Sequence, residues 1–335
     1  MSTLAVDPTT PPAVKPARKS FGARELVSRY GVLVAIVLTF LIFSLLRPDS
    51  FLTRLTLLGI LRDCVPLLMV ALGVTVVMVM NQFDLSVGGL TSLLAVFVVV
   101  ALSSEYWGFN YWVAILLTLA LGAALGSLSG IAVAYLRLPA FILTIALSTV
   151  YAGVGLQLTD SNSVFSGIPS GFVDIASGTL FGISNQVYIG AVVLALLHVL
   201  MRHTEPGRYM YAIGGNVEAA RLAGVRVRVL IASGFAIVGL TAAISAILLS
   251  SQAGASNPNA GLGQLLPAYA AAFLGSSLFR VGVFTPVGTA IGALYLQMIG
   301  SGLTLLNLSG PMVSIIQGGI LVAAIGISRL ARGSR

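Results

Sequence analysis

Lys15 and Lys19 are the only lysines in the chain. A phosphate-cradling loop of the form G-x-x-x-x-G-K-[ST] needs a lysine to reach the β- and γ-phosphates, and neither residue lies in such a run. ATP hydrolysis of that type is therefore not expected here. His198 and His203 stand at i, i+5, a spacing that does not set two rings on one helical face as a metal pair requires, so they read as satisfied or interfacial histidines. No G-x-S-x-G occurs, and Asp63 and Asp84 lie near opposite ends of an apolar stretch, too far apart for an aspartyl dyad. Cys64 is the single cysteine, which excludes an intramolecular disulfide and a multi-thiolate metal site. No catalytic residue, metal site or cofactor is assigned to this chain.

Polar residues inside apolar stretches are costly and by default suggest a functional path. Asp63, Asn81, Gln82, Asp84, Gln157, Gln297 and Gln317 are the candidates. Arg62 and Asp63 read as an interfacial snorkelling pair of residues. Being adjacent, they diverge by about 100° on a helix and need not pair with each other. Asp84 or Ser86 is placed to cap the helix that follows, within the interruption Asn81-Gln82-Phe83-Asp84-Leu85-Ser86-Val87-Gly88-Gly89, where lipid offers no partner to free amides. The polar segment 202–228 carries Asn216, a suitable N-cap, then Val217-Glu218-Ala219-Ala220-Arg221-Leu222, with Gly224 suited to the position after the helix. The result is a two-turn helix, too short to be stable in water without packing against its own membrane domain or another protein.

The elements that must position these residues follow from composition. Only 8% of the 335 residues are charged while 57% are hydrophobic, and mean hydropathy is +1.02. A soluble domain carries roughly a quarter charged residues, so most of this surface faces lipid. Apolar stretches run over residues 30–46, 65–80, 87–102, 111–135, 141–158, 187–201, 230–250, 265–278, 287–303 and 311–327. This predicts an all-α polytopic membrane protein of about ten spans, or as few as eight, because several stretches are short enough to be tilted, re-entrant or broken. Residues 1–29, rich in proline and basic residues, read as a disordered arm. Residues 30–328 form the membrane domain, 329–335 a basic tail, and 159–186 an irregular loop. Small residues at Gly122, Gly126 and Gly130, and at Gly288 and Gly292, are spaced for close helix packing, within the chain or between two copies. Alternating ten spans from a cytoplasmic start puts fifteen of the eighteen basic residues inside, leaving Arg47, Arg54 and Arg62 outside. The positive-inside rule therefore sets both termini in the cytoplasm. The net charge of +8 records orientation and gives no support to a nucleic-acid partner.

Around the 202–228 segment the chain closely resembles permease subunits of bacterial ABC importers, and specifically the ribose/xylose-type sugar permeases. The resemblance rests on Thr204, Gly207-Arg208, Tyr211-Ala212-Ile213-Gly214-Gly215-Asn216, Glu218-Ala219-Ala220-Arg221-Leu222 and Gly224. It extends to Asp84-Leu85-Ser86-Val87-Gly88, Gly288-Thr289-Ala290-Ile291-Gly292-Ala293 and Gly302-Leu303-Thr304-Leu305-Leu306, covering roughly residues 55–328. Asn81-Gln82-Phe83 stands where the family has two glycines and an isoleucine, and Ser276–Val281 where it is richer in glycine. The resemblance implies an inner-membrane subunit that pairs with a second permease, most simply itself. Two ATP-binding subunits carrying ATP and Mg would dock on the cytoplasmic face, and a periplasmic or lipid-anchored binding protein would deliver the sugar outside. It implies that residues 217–223 seat in a groove of the ATPase. Glu218 would fix or cap that helix, Ala219 and Ala220 would permit close approach, and Arg221 would meet an acidic partner. A self-sufficient secondary transporter or channel is the alternative class, kept open by Asp63 and Asp84. An ATPase and a secreted binding protein encoded beside this chain would favour the importer.

Deleting residues 2–20 should leave the topology unchanged, since Arg24, Arg29 and the inner loops still bias it. Cysteine-accessibility labelling checks this, and an inverted pattern would overturn the charge argument.

Overall fold

Lipid offers no hydrogen-bond partners to the backbone, so a chain that crosses it must satisfy its own amides, and helices do so segment by segment. The computed structural model describes residues 23–278 and 282–319, and over these the chain is overwhelmingly helical. The helices are α1 (Ala23–Leu46), α2 (Pro48–Phe51), α3 (Arg54–Val79), α4 (Ser86–Leu102), α5 (Tyr111–Ala134), α6 (Ala140–Gln157) and α7 (Ser170–Ser177). A hairpin of β1 (Thr179–Leu180) and β2 (Ile183–Ser184) precedes α8 (Asn185–His203), α9 (Glu205–Gly215), α10 (Val217–Leu222), α11 (Val227–Ala253), α12 (Leu262–Gly275) and α13 (Pro286–Leu305). Residues 310–319 are helical as well.

Helices α3, α5, α6, α8 and α11 are long and apolar enough to cross a membrane, while Leu33–Leu46, α4 and α12 are shorter apolar helices. Each apolar stretch read from the sequence lies largely in a helix over its described residues. The expectation of short spans is met most clearly by α12, whose 14 residues rise about 21 Å against a hydrocarbon core of about 30 Å. Its start is tucked into the bundle: the Gly261 amide donates to Ser92 Oγ at 3.0 Å, halfway along α4.

Helices α3 and α11 form the centre. The most apolar window of α3 is 83% buried, whereas that of α6 is 17% buried, with Phe141, Ile142 and Val150 turned outward. Such exposure is ordinary in a solvent as apolar as leucine. Gly122, Gly126 and Gly130 all face α11: a Cβ on Gly122 would stand 2.5 Å from the Gly239 carbonyl oxygen, one on Gly130 2.7 Å from that of Ala232, and one on Gly126 would collide with the Phe235 carbonyl. Gly288 meets Gly275 and Gly292 meets Ala271 in the same way between α13 and α12. These glycines knit helices within one chain.

Pro66 sits inside α3, and having no N–H it leaves the carbonyl four residues earlier, that of Arg62, without its helical donor. The fully buried Gln186 of α8 supplies the replacement, its Nε2 donating to Arg62 O at 2.7 Å. The Pro66 carbonyl in turn accepts from Ser245 Oγ of α11 at 2.9 Å. A proline in the central helix is thus tolerated because two neighbouring helices bring polar side chains to it.

Two sequence expectations need correction. Helix α1 is already formed at Ala23, the first described residue, ahead of the apolar stretch that opens at Tyr30, because Ala23-Arg24-Glu25-Leu26 are good helix formers and extend the helix beyond its apolar part. The 159–186 connection is not wholly irregular: it holds α7, whose Phe172 and Ala176 are fully buried, and the hairpin. Ser251 of α11 fixes α7 by accepting from the Ala176 amide at 2.9 Å and donating to the Phe172 carbonyl at 2.6 Å. Residues 1–22, the Phe279–Arg280 departure and the 329–335 tail lie outside the described residues.

Replacing Gln186 with Leu should cost about 1–3 kcal/mol by orphaning a buried carbonyl. In a Pro66→Ala background, where the helix regains its own donor, the cost should shrink. Thermal melts of the four proteins in detergent give the coupling, and strictly additive effects would sink the explanation.

Candidate functional site

The 202–228 segment folds as two helices rather than one. Thr204 caps α9, its Oγ1 accepting from the Gly207 amide at 3.3 Å, with Pro206 in the first turn, where a missing N–H costs nothing. Helix α9 lies against α3, α8 and α11. Gly214 packs on the Val79 carbonyl so closely that a Cβ would collide with it, and Asn81 Nδ2 donates to the Gly214 carbonyl at 2.7 Å. Tyr211 donates its hydroxyl to the Phe284 carbonyl at 2.7 Å, just before α13. Burial pushes the Tyr211 hydroxyl above its ordinary pKa against the opposing charge of Arg202, so it keeps its proton and remains a donor.

Asn216 ends α9 and starts α10. Its Oδ1 accepts from the Glu218 and Ala219 amides, both at 3.0 Å, as expected of the N-cap. At the other end Gly224 has φ +82°. The Gly224 amide reaches the Arg221 carbonyl at 3.0 Å and the Val225 amide that of Ala220 at 3.1 Å, the pair of bonds that defines a Schellman stop. Six residues are thus held helical by caps at both ends. Ala220 is buried against the chain's own body, Ala219 is exposed, and Leu222 is 88% exposed. The resemblance gives Arg221 an acidic partner on another subunit; within this chain its partner is Glu218, at 2.7 Å.

From Asn81 the same contact network enters the membrane core. Residues 81–85 join α3 to α4, with Asn81 at φ +56°, a conformation asparagine tolerates better than most. The fully buried Asp84 accepts from the Ser86 amide at 2.9 Å and from the Ser86 hydroxyl, so Asp84 caps the first turn of α4 and Ser86 is its donor. Tyr269 of α12 grips the Asp84 backbone twice, accepting from its amide at 2.9 Å and donating to its carbonyl at 3.0 Å. Phe83 stacks on the same ring, with centroids 6.1 Å apart. The Leu85 amide donates to Thr144 Oγ1 of α6 at 3.0 Å, and the Gly89 amide to Ser148 Oγ at 3.2 Å. Val87 is buried beside these, and Gly88 packs against Leu265 and Gly261. Tyr269, Thr144 and Ser148 were not among the candidates; an isolated tyrosine in the run Ala268-Tyr269-Ala270-Ala271 was the available signal.

At the other end of α3, Arg62 Nε does reach Asp63 Oδ1, at 2.8 Å, because the long arginine side chain curls across the angle separating adjacent positions. Gln252 of α11 also donates to that oxygen, at 2.9 Å. Gln186 and Gln252 were overlooked in the sequence because each sits at the edge of an apolar stretch. The two histidines also come together, with ring centroids 5.8 Å apart, since His203 ends its helix. No group of three metal-ligating side chains exists among the described residues.

The described residues thus form a helical bundle of membrane-spanning character that carries a doubly capped, outward-facing helix braced on its interior. The chain matches, over residues 56–325, the family described as branched-chain amino acid transport system / permease component, and it belongs to that family. It is 34% identical to the ribose import permease protein RbsC of Escherichia coli (strain K12), over 88% of this chain and 91% of the relative. It is 31% identical to the xylose transport system permease protein XylH of Haemophilus influenzae, over 89% and 95%. It is 28% identical to the D-allose transport system permease protein AlsC of Escherichia coli (strain K12), over 93% and 95%. No solved structure matches the chain. The protein is therefore a multi-pass permease subunit of a bacterial inner-membrane ABC importer, non-enzymatic itself and working with ATP-binding and substrate-binding partners.

Replacing Tyr269 with Phe should leave two buried backbone groups of Asp84 unpartnered, at about 1–3 kcal/mol each. It should lower both the melting temperature and the transport rate. An unchanged melt would show that this hydroxyl does not hold the turn.

Proposed function

We propose that this chain forms the translocation path for a monosaccharide, as one half of a permease dimer made of two copies of itself. The observation that carries this reading is α10: a six-residue helix capped at both ends, with Ala219 and Leu222 presented outward and left uncovered by the described residues. Helices this short are marginal in water unless something packs on them, and a groove on an ATP-binding subunit is the partner that suits it. ATP and Mg belong on that subunit.

Ala220 seats α10 on its own domain, and Ala219 leaves room for the partner to approach. Closure of the ATPase dimer then displaces α10, and α9 passes the displacement to the α3–α4 turn through Gly214 and Asn81 and to α13 through Tyr211. The spans respond as a shift between inward-open and outward-open packings. The α9–α10 side faces the cytoplasm on the distribution of arginines, with both termini there, and a periplasmic or lipid-anchored binding protein delivers the sugar at the Arg62–Asp63 end. A monosaccharide is favoured because the similar permeases are named for ribose, xylose and D-allose. Asp63 and Asp84 lend no support to an ion-coupled transporter, since one is tied to Arg62 and Gln252 and the other caps α4.

Glu218→Arg or Ala219→Trp should abolish ATP-driven sugar uptake in cells while leaving insertion and monodispersity intact, because both positions are exposed in the folded chain. Uptake at the wild-type rate in both variants would refute the coupling role of α10.

A further inference from the structure

Behind α10 the chain forms a cavity of about 290 Å³ between the end of α5, the α5–α6 turn, α10 and the start of α11. Arg137, Arg221 and Arg228 line it together with apolar residues that include Val133, Leu138 and Ile231. Arg221 is neutralised by Glu218. Neither Arg137 nor Arg228 has a carboxylate partner among the described residues, and Arg228 lies over the Tyr135 ring, 5.9 Å from its centroid. Arg137 occupies the left-handed region, φ +58°, which costs energy for a residue with a side chain. Two guanidinium groups without a carboxylate partner among the described residues therefore share a cavity whose remaining wall is largely apolar.

That combination selects an anion that carries a hydrophobic body. Guanidinium forks match the oxygens of a phosphate, and basic pockets between helices at the cytoplasmic membrane surface suit anionic headgroups. The cavity also stands beside lipid-facing side chains: Leu136 is 67% exposed, Phe141 57% and Ile142 66%. We propose that Arg137 and Arg228 bind the phosphate of an anionic phospholipid, with the acyl chains lying along α6. An acidic segment of a protein partner would satisfy the charges and leave the apolar wall unmatched. Because Val217 and Arg221 of α10 form part of this wall, the bound lipid braces α10 from behind.

The test uses the full chain purified into nanodiscs of phosphatidylcholine with or without phosphatidylglycerol, scored by retained lipid in native mass spectrometry and by thermal melting. Wild type should retain phosphatidylglycerol and melt higher in its presence, and the double variant Arg137→Gln, Arg228→Gln should bind it roughly thirtyfold more weakly. Arg137→Lys, Arg228→Lys should recover most of the loss, separating charge from general disruption. Inorganic phosphate at millimolar concentration, tested in phosphatidylcholine discs, distinguishes the sources: protection by it alone, equal to that of the lipid, would overturn the lipid assignment in favour of a free anion. Equal phosphatidylglycerol retention by wild type and the glutamine variant would overturn the proposal. So would unaltered retention combined with lost co-purification of the ATP-binding subunit, which would assign the pocket to a protein side chain.

Discussion

The backbone of residues 81–85 is the constraint on which the rest of the structure depends. Between α3 and α4 the chain must turn inside the protein, where amides and carbonyls find no water and each unpartnered group costs on the order of 1–3 kcal/mol. The solution spends one side chain from each of three directions: the Asp84 carboxylate on the first turn of α4, the Tyr269 hydroxyl on both backbone groups of Asp84, and the Thr144 hydroxyl on the Leu85 amide. Once those bonds are made, α4, α12 and α6 have fixed positions around α3.

The same turn explains why the polar end of the bundle is not an appendage. Asn81 belongs to the turn and also bonds the Gly214 carbonyl, two residues before the cap of α10. Gly214 has no side chain because α9 touches the backbone of α3 at Val79. A displacement of α10 along its axis therefore cannot be absorbed by a flexible linker. It is met by backbone-to-backbone contact on one side and by the Tyr211–Phe284 bond on the other. In the proposed function this rigidity makes the six residues of α10 sufficient to act on a membrane domain.

Much of this was legible in the sequence, and for definable reasons. Apolar stretches announce spans because lipid tolerates nothing else, so the helices fall where hydropathy puts them, and Asn216 and Gly224 declare α10 through the conformations they suit. Helix α9 was hidden because its Gly and Pro content resembles that of a loop and its stability comes from packing on α3 and α8. Ideal helical angles leave open whether Arg62 and Asp63 meet, because they ignore the reach of an arginine. Gln186 could not be singled out without knowing that Pro66, more than a hundred residues earlier, frees a carbonyl beside it. Tyr269 escaped for the same reason: its importance lies wholly in a backbone that comes near it only after folding. The packing glycines were legible as stripes, but only the structure shows that their partners are α11 and α12 of the same chain.

The scarcity of charge bears on how such a bundle can move. Among the described residues the ion pairs are Arg62–Asp63 and Glu218–Arg221, at opposite ends of the molecule, and contacts between central helices are made by neutral groups, such as Thr75 Oγ1 to Thr289 Oγ1 at 2.7 Å. Leaving one charge of a buried ion pair uncompensated costs about 3–5 kcal/mol, whereas a neutral hydrogen bond contributes about 0.5–1.5 kcal/mol net and is readily remade with another hydroxyl or carbonyl. A transporter needs two packings separated by only a few kcal/mol, so that partner binding can choose between them. Helices that meet through glycine backbones and exchangeable hydroxyls meet that requirement, and a core laced with buried ion pairs would lock into one packing.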